Sequence, residues 1–196
     1  MDILREGEEA LVAGEAARRE KRAADAVQAF AQAIACFRQA RDEPRLAHAL
    51  SRQAQVARDA EDLRTALKLQ NEAVSLARRS APSSLARLVR HLADILQQGG
   101  DPAAAAPLYA EMMELYGAAP ETPPLELANA IRGLACNSEA LGDRMAARRL
   151  WLDVRRRYLA LDELFHDTYG LAENPGVIEA DGRLANLASA EGPFPP

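Results

Sequence analysis

The stretch that decides the fold is LARLVRHLADILQQGGDPAAAAPLY, residues 85–109. In its first half, apolar side chains recur every four residues at Leu85, Val89 and Ala93, which predicts a helix with one buried face. Gly99-Gly100-Asp101-Pro102 then interrupts the pattern, and Asp followed by Pro is typical of the first residues of a new helix. The stretch therefore predicts two helices joined by a tight turn.

The same pattern occurs four times along the chain. A small residue on each first helix is followed twelve positions later by a small residue on the second helix, which lets the two helices approach closely. In three of the copies a bulky aromatic residue follows one turn later, and successive copies are 40, 39 and 42 residues apart. These positions are Gly14, Ala26 and Phe30 in the first copy, Ala54, Ala66 and Gln70 in the second, Ala93, Ala105 and Tyr109 in the third, and Ala135, Ala147 and Trp151 in the fourth.

The composition agrees with a chain made of helices. Ala, Leu, Arg, Glu and Lys fill 109 of the 196 positions, whereas Val, Ile and Thr together fill 15. A β-sandwich, a barrel or a parallel sheet needs many more β-branched residues, so these fold classes are excluded.

The repeat resembles the tetratricopeptide repeat (TPR), whose hairpins carry a small residue, a second small residue twelve positions on, and then an aromatic. The resemblance spans about residues 3–165 and implies an all-α fold, a right-handed α-solenoid of four TPR-like helical hairpins with a short C-terminal capping helix. The period exceeds the family's usual value of about 34 residues, Gln70 replaces an aromatic residue, and the proline that closes the second helix is missing. The long period is similar to that of kinesin-light-chain-like and bacterial members.

The expected organisation is a single domain. Its hairpins are predicted at residues 1–41, 42–80, 81–119 and 120–169, and the longest loop at residues 117–124. We expect the last second helix to run over residues 144–166 and to stop before Asn174-Pro175-Gly176. A linker and capping helix would follow at residues 170–190 and a flexible tail at residues 191–196.

The sequence offers no catalytic or metal-binding motif. His48, His91 and His166 have no metal-ligand spacing, and Cys36 and Cys136 lie far apart without a CxxC motif. His48 and His91 are expected to be polar residues of a surface or groove, and the two cysteines to be small buried thiols. We therefore expect a protein that is not an enzyme and needs no cofactor and no metal.

The charge of the chain limits its partners. A net charge of −5 and a sequence pI near 5.3 argue against nucleic acid as a partner. The densest positive run, Arg155-Arg156-Arg157, covers about 200° of a helix, which indicates a solvated surface rather than one patch. The sequence contains no apolar run of membrane-spanning length, and its acidic start does not look like a secretion signal. We expect a cytoplasmic location and no membrane partner.

The resemblance implies that the first helices line a concave groove, which binds a protein or peptide segment. Four arginines and two histidines are expected there, and they suit an acidic segment because a guanidinium group pairs bidentately with a carboxylate. A mixed groove with no such preference is equally consistent with the sequence. The predicted groove residues are His48, Arg52, Gln55, Arg87, Arg90, His91, Asp94, Asn129 and Arg132.

The predicted function is a non-enzymatic protein–protein interaction module, with self-association left open. The alternatives are a regulatory component of a signalling or transcription system and a small all-helical enzyme. An enzyme would need a cluster of titratable groups in a pocket.

Overall fold

The computed structural model describes residues 2–189, and over that range it contains ten α-helices and no β-strand. All eight predicted hairpin helices are present, which confirms the all-α class. The helices are α1 (Ile3–Arg19), α2 (Ala23–Ala40), α3 (Glu43–Asp59), α4 (Leu63–Ser80), α5 (Pro82–Gln98), α6 (Pro102–Gly117), α7 (Pro124–Ala140), α8 (Arg144–Leu159), α9 (Asp162–Tyr169) and α10 (Pro175–Ser189).

The first of two compact units ends at Asp101 and contains α1 to α5. Helix α1 packs along α2, and α3 packs along α4. Helices α3 and α5 also pack against the second helix that precedes each of them. The predicted small residues lie at the crossings: Ala54 and Ala66 are fully buried, and a β-carbon on Gly14 would lie 2.6 Å from the ring of Phe30. The close helix approach inferred from the repeat is thus confirmed.

Aspartates cap two of the second helices, α4 and α8. The Oδ1 atom of Asp62 accepts the backbone N–H of Thr65 at 3.1 Å, and Asp143 accepts that of Ala146 at 2.9 Å. Hydrogen bonds from Thr65 lower the pKa of Asp62, because they stabilise the ionised carboxylate. Each aspartate satisfies a backbone donor that has no partner within its own helix.

Gln70 stands where the other second helices carry an aromatic residue, and the structure gives a reason for the polar side chain. Gln70 is fully buried, and its Nε2 atom donates a hydrogen bond to the backbone carbonyl of Leu88 at 2.7 Å. The side chain therefore ties α4 to α5 instead of filling a gap with an aromatic ring.

The second unit begins at Pro102 and contains α6 to α10. The boundary between the units falls inside the segment predicted as the third hairpin, residues 81–119. Helix α6 packs on α7, α7 packs on α8, and α10 packs on α8. Trp151 and Tyr158 are seven residues apart, which places them on one face of α8, and both are buried in the core of this unit.

The predicted single helix over residues 144–166 is wrong. Helix α8 ends at Leu159, and α9 begins at Asp162 after a turn. The turn directs Phe165 back into the core, where its ring centroid lies 5.9 Å from that of Tyr158. Burial of this ring against Tyr158 stabilises the observed arrangement of α8 and α9.

The preceding helix ends before Asn174-Pro175-Gly176, as predicted, and this tripeptide begins the capping helix α10. Asn174 is buried; its Oδ1 atom accepts the N–H of Gly176 at 3.1 Å, and its Nδ2 atom donates to the carbonyl of Tyr158 at 2.7 Å. Helix α10 is 15 residues long, so the predicted cap is longer than expected. The predicted tail at residues 191–196 lies outside the described residues.

Candidate functional site

A cavity of about 410 Å³ lies in the first unit between the first helices α1, α3 and α5. Helix α3 packs against both α1 and α5, and the apolar faces of the three helices are directed toward the second helices. The cavity therefore receives the polar faces of the three helices. Five of the nine predicted groove residues line it: His48, Arg52, Gln55, Arg87 and His91.

The other four predicted residues do not line this cavity. Arg90 lies on α5 with its Nη1 atom 3.4 Å from Asp94, and Asp94 is also 3.8 Å from Arg58. The pair between Arg58 and Asp94 connects α3 to α5. Asn129 and Arg132 belong to the second unit.

His91 forms the buried floor of the cavity. Its side chain is 8% exposed, although the sequence indicated an ordinary surface or groove residue. The Nδ1 atom lies 3.3 Å from the hydroxyl of Ser51 and 3.1 Å from the side-chain amide of Gln55, both on α3. The Nε2 atom lies 3.0 Å from the Nη2 atom of Arg90.

Burial and these contacts favour the neutral form of His91. An arginine side chain only donates hydrogen bonds, so the Nε2 atom of His91 accepts from Arg90 and carries no proton. Desolvation by burial holds the pKa of His91 well below its usual value, and the neighbouring cations Arg90, Arg58, Arg87 and Arg52 lower it further.

The protonation of His91 makes the stability of the first unit depend on pH. Because the folded-state pKa is lowered, the unfolded chain binds the proton first. The stabilisation is complete above the unfolded pKa of about 6.5 and is lost as pH falls below it. We expect the free energy of unfolding to fall between about pH 7 and pH 5, by at most about 1.4 kcal/mol per pH unit from this residue.

Urea unfolding followed by circular dichroism at several pH values measures this effect. His91→Gln should remove the part of the pH dependence of the free energy of unfolding that His91 causes. His166→Gln should leave this pH dependence unchanged, because the His166 side chain is 75% exposed. Identical slopes for the wild type and His91→Gln would show that His91 is not buried in the neutral form.

Arginines of α3 form the rim of the cavity. The Nε atom of Arg52 donates a short hydrogen bond to Glu15 of α1, and Arg45 pairs with Glu8 of the same helix at 2.8 Å. The sequence analysis missed Arg45 as a lining residue. Its spacing of seven residues from Arg52 places both on one face of α3 and could have identified it.

Burial and charge also act on His48. Its pKa is lowered first by desolvation and then by Arg52 and Arg87, although Glu15 opposes the shift. Burial is thus the main cause of the lowered pKa at this ring. Three arginines and one glutamate line the cavity, in a chain that is acidic as a whole.

Arg132 of the second unit has a carboxylate partner within the chain. Its Nε and Nη2 atoms lie 2.5 and 2.9 Å from the two carboxylate oxygens of Glu179 on α10. Arg183 of α10 pairs in turn with Glu139 of α7 at 3.0 Å. Helix α10 therefore contacts Arg132, one of the α7 residues that were predicted to face a partner, and Glu179 is the carboxylate that pairs with it.

A second, shallower pocket of about 450 Å³ lies beside this ion pair. Asn129 lines it, and the Oδ1 atom of Asn129 accepts a 2.7 Å hydrogen bond from the hydroxyl of Tyr158. The rings of Phe165 and Tyr169 form another wall. Asn129 and Arg132 thus meet in the second unit.

Other candidate chemistry is weak in the described part of the chain. Residues 2–189 contain no group of three or more His, Cys, Asp or Glu side chains that could hold a metal ion. Cys36 is buried and Cys136 half-buried, both as free thiols, and burial raises the pKa of each. A raised pKa disfavours the reactive thiolate. Over the same range, none of the helices has the length and apolar character needed to cross a membrane.

Comparison with known proteins identifies the fold. No family model matches the sequence, and no curated protein matches it significantly. Among solved structures, a protein from Podospora anserina described as a kinesin light chain with nearly identical TPR-like repeats has a TM-score of 0.70 at 17% identity, covering 95% of this chain and 87% of that one.

Two further structures give weaker matches. BtubC (BKLC) from P. vanneervenii has a TM-score of 0.54 at 14% identity and covers 100% of this chain and 94% of its own. The MamA protein has a TM-score of 0.55 at 14% identity, covering 97% of this chain and 98% of its own. The chain therefore has a TPR-like solenoid fold of the kind seen in kinesin-light-chain repeats.

Proposed function

We propose that the protein is a non-enzymatic interaction module that binds a segment of a partner protein in the cavity of the first unit. The observation that carries the proposal is the cavity itself, which opens between α1, α3 and α5 and combines apolar and polar walls. Leu11 and Leu88 supply apolar surface, while Ser51 and Gln55 supply hydrogen-bonding groups. Such a lining suits a peptide, whose backbone and side chains need both kinds of contact.

The bound segment is acidic in this proposal. Arg45, Arg52 and Arg87 line the cavity from two helices, and Glu8 is the single carboxylate among its lining residues. A carboxylate of the partner could replace Glu15 or Glu8 as the ion-pair partner of an arginine. That arginine is already held in place. Preorganised guanidinium groups reduce the entropy lost when the segment binds.

Filling the cavity is expected to abolish this binding. Ser83 is exposed and lines the cavity at the start of α5, so Ser83→Trp places an indole in the space without removing a core contact. Peptides selected from a random displayed library on the wild-type protein should be rich in Asp and Glu. They should bind Ser83→Trp about tenfold or more weakly, measured by fluorescence anisotropy, and should bind less tightly as salt rises.

A matched control distinguishes the effect of filling the cavity from the general effect of adding a tryptophan to the surface. Gln28→Trp introduces the same side chain at an exposed position of α2, outside the cavity lining, and should bind the selected peptides like the wild type. Peptides that bind Ser83→Trp with full affinity would place the interaction elsewhere, and selection of neutral or basic peptides would contradict the acidic preference.

A further inference from the structure

The solvent-facing side of α8 carries an apolar stripe that the repeat pattern does not require. Met145, Leu152 and Leu159 are 69%, 46% and 43% exposed. They are seven residues apart, so they lie within about 40° of one another around the helix and extend over about 21 Å of its length. The opposite side of α8 carries Trp151 and Val154, which are fully buried. The stripe is therefore apolar surface directed into solvent.

Arginines border this stripe on both sides. Helix α8 contains six arginines and one aspartate, in a chain whose net charge is −5. The 3.6-residue period places Arg148 and Arg155 along one edge and Arg149 and Arg156 along the other. Arg155 pairs with Asp181 and Arg156 with Asp153, whereas Arg148 and Arg149 form no ion pair within residues 2–189. A positive field therefore surrounds the apolar stripe.

The other second helices provide an internal comparison. Counted from the repeat positions, the three stripe positions are Ala24, Ala31 and Arg38 on α2, Arg64, Asn71 and Arg78 on α4, and Ala103, Ala110 and Gly117 on α6. All nine residues are exposed, and none is a large apolar side chain. The fold is thus satisfied by small or polar residues at these positions. The Met-Leu-Leu stripe on α8 has no role in holding the hairpin together.

We propose that the exposed side of α8 binds an acidic amphipathic helix of a partner protein. The partner helix places apolar residues at seven-residue spacing against Met145, Leu152 and Leu159, and its flanking Asp or Glu side chains pair with Arg148 and Arg149. This arrangement is half of a coiled-coil seam, in which flanking charges select the partner. The aliphatic stems of the arginines widen the apolar contact while their charged ends reach the partner's carboxylates.

The residue types favour a protein partner over an anionic membrane. Met and Arg are enriched in protein interfaces, whereas Lys is depleted there, and the exposed side of α8 contains no Lys. It also contains no Trp or Tyr, the residues that anchor a helix at the lipid headgroup level. Guanidinium groups pair with carboxylates in a defined bidentate geometry, which suits a structured acidic helix.

Titration of the full chain with two synthetic peptides tests the proposal. Both peptides contain three heptads with Leu at every seventh position; one carries Glu at the flanking positions and the other carries Lys. We expect saturable binding of the Glu peptide by fluorescence anisotropy and none of the Lys peptide. Arg148→Glu with Arg149→Glu, and separately Leu152→Ser, should each weaken binding about tenfold or more.

Arg64→Glu with Lys68→Glu, the same charge reversal on the exposed side of α4, should leave binding unchanged, as should Ser83→Trp in the cavity. Since all substituted residues are exposed, unchanged circular dichroism spectra should accompany every variant. Absence of saturable binding of the Glu peptide at about 1 mM would overturn the proposal. So would binding to phosphatidylserine vesicles that the two α8 variants abolish, because the occupant of α8 would then be a membrane.

Discussion

Replacing Trp151 with alanine is expected to lower the free energy of unfolding of the second unit by about 3–5 kcal/mol, the loss typical of a buried aromatic side chain. Trp151 is fully buried, and its ring packs in the core with Ile131 of α7 and Ala180 of α10. The guanidinium of Arg183 lies 5.8 Å from the ring centroid, so the substitution also removes a cation–π contact to α10. Urea unfolding followed by circular dichroism measures the loss.

The neighbouring residue is the matched control for this substitution. Leu152 follows Trp151 on the same helix but is 46% exposed, so Leu152→Ala should change the free energy of unfolding by about 0.5 kcal/mol or less. Phe30→Ala should repeat the large loss in the first unit, because Phe30 occupies the equivalent repeat position and is also fully buried. Equal effects of Trp151→Ala and Leu152→Ala would mean that the assigned face of α8 is wrong.

The hairpins could be predicted from the sequence because their determinants are local and periodic. A small residue at a helix crossing is required wherever two helices approach closely, and the contact between Gly14 and Phe30 shows that requirement directly. The capping aspartates are equally local, since Asp62 acts on a backbone N–H only three residues away. Signals of this kind survive in a single sequence without any knowledge of tertiary contacts.

The features that could not be predicted depend on contacts between distant residues. The break after Leu159 follows from the packing of Phe165, and no turn-forming glycine or proline marks it in the sequence. The pairing of Arg132 with Glu179 joins residues 47 positions apart and requires the position of α10. The helical spacing of Arg132 shows which face it lies on, but not whether this chain or a partner provides its carboxylate.

The candidate site could be predicted only in part, because it too depends on contacts between distant residues. Spacing along α3 and α5 placed His48, Arg52 and His91 on neighbouring faces, and the structure brings them to one cavity. The spacing did not indicate that His91 is buried, because the burial of this side chain depends on how closely α3 and α5 pack. The role of the apolar stripe on α8 also depends on exposure, which the sequence does not show. Leu152 lies next to Trp151 and looks like another core residue when the sequence is considered alone.

Replacing Gly176 with valine is expected to destabilise the second unit by about 3 kcal/mol, the upper end of the range for overpacking. A β-carbon at this position would lie 2.2 Å from the ring of Tyr158. Tyr158 cannot yield easily, because its hydroxyl is bonded to Asn129 and its backbone carbonyl accepts from Asn174. The substitution should therefore displace the start of α10 from α8, and amide hydrogen exchange in α10 should accelerate before the remainder of the unit unfolds.

Gly182 provides a control within the same helix. No atom lies within 4 Å of a β-carbon placed there, so Gly182→Ala meets no steric obstacle and should stabilise α10 by about 0.5–1 kcal/mol through the lower backbone entropy of alanine in the unfolded chain. The two glycines should thus respond with opposite signs in urea unfolding. If Gly176→Val were tolerated like Gly182→Ala, the start of α10 would not be held against Tyr158. The ion pair between Arg132 and Glu179 would then not be positioned by that packing.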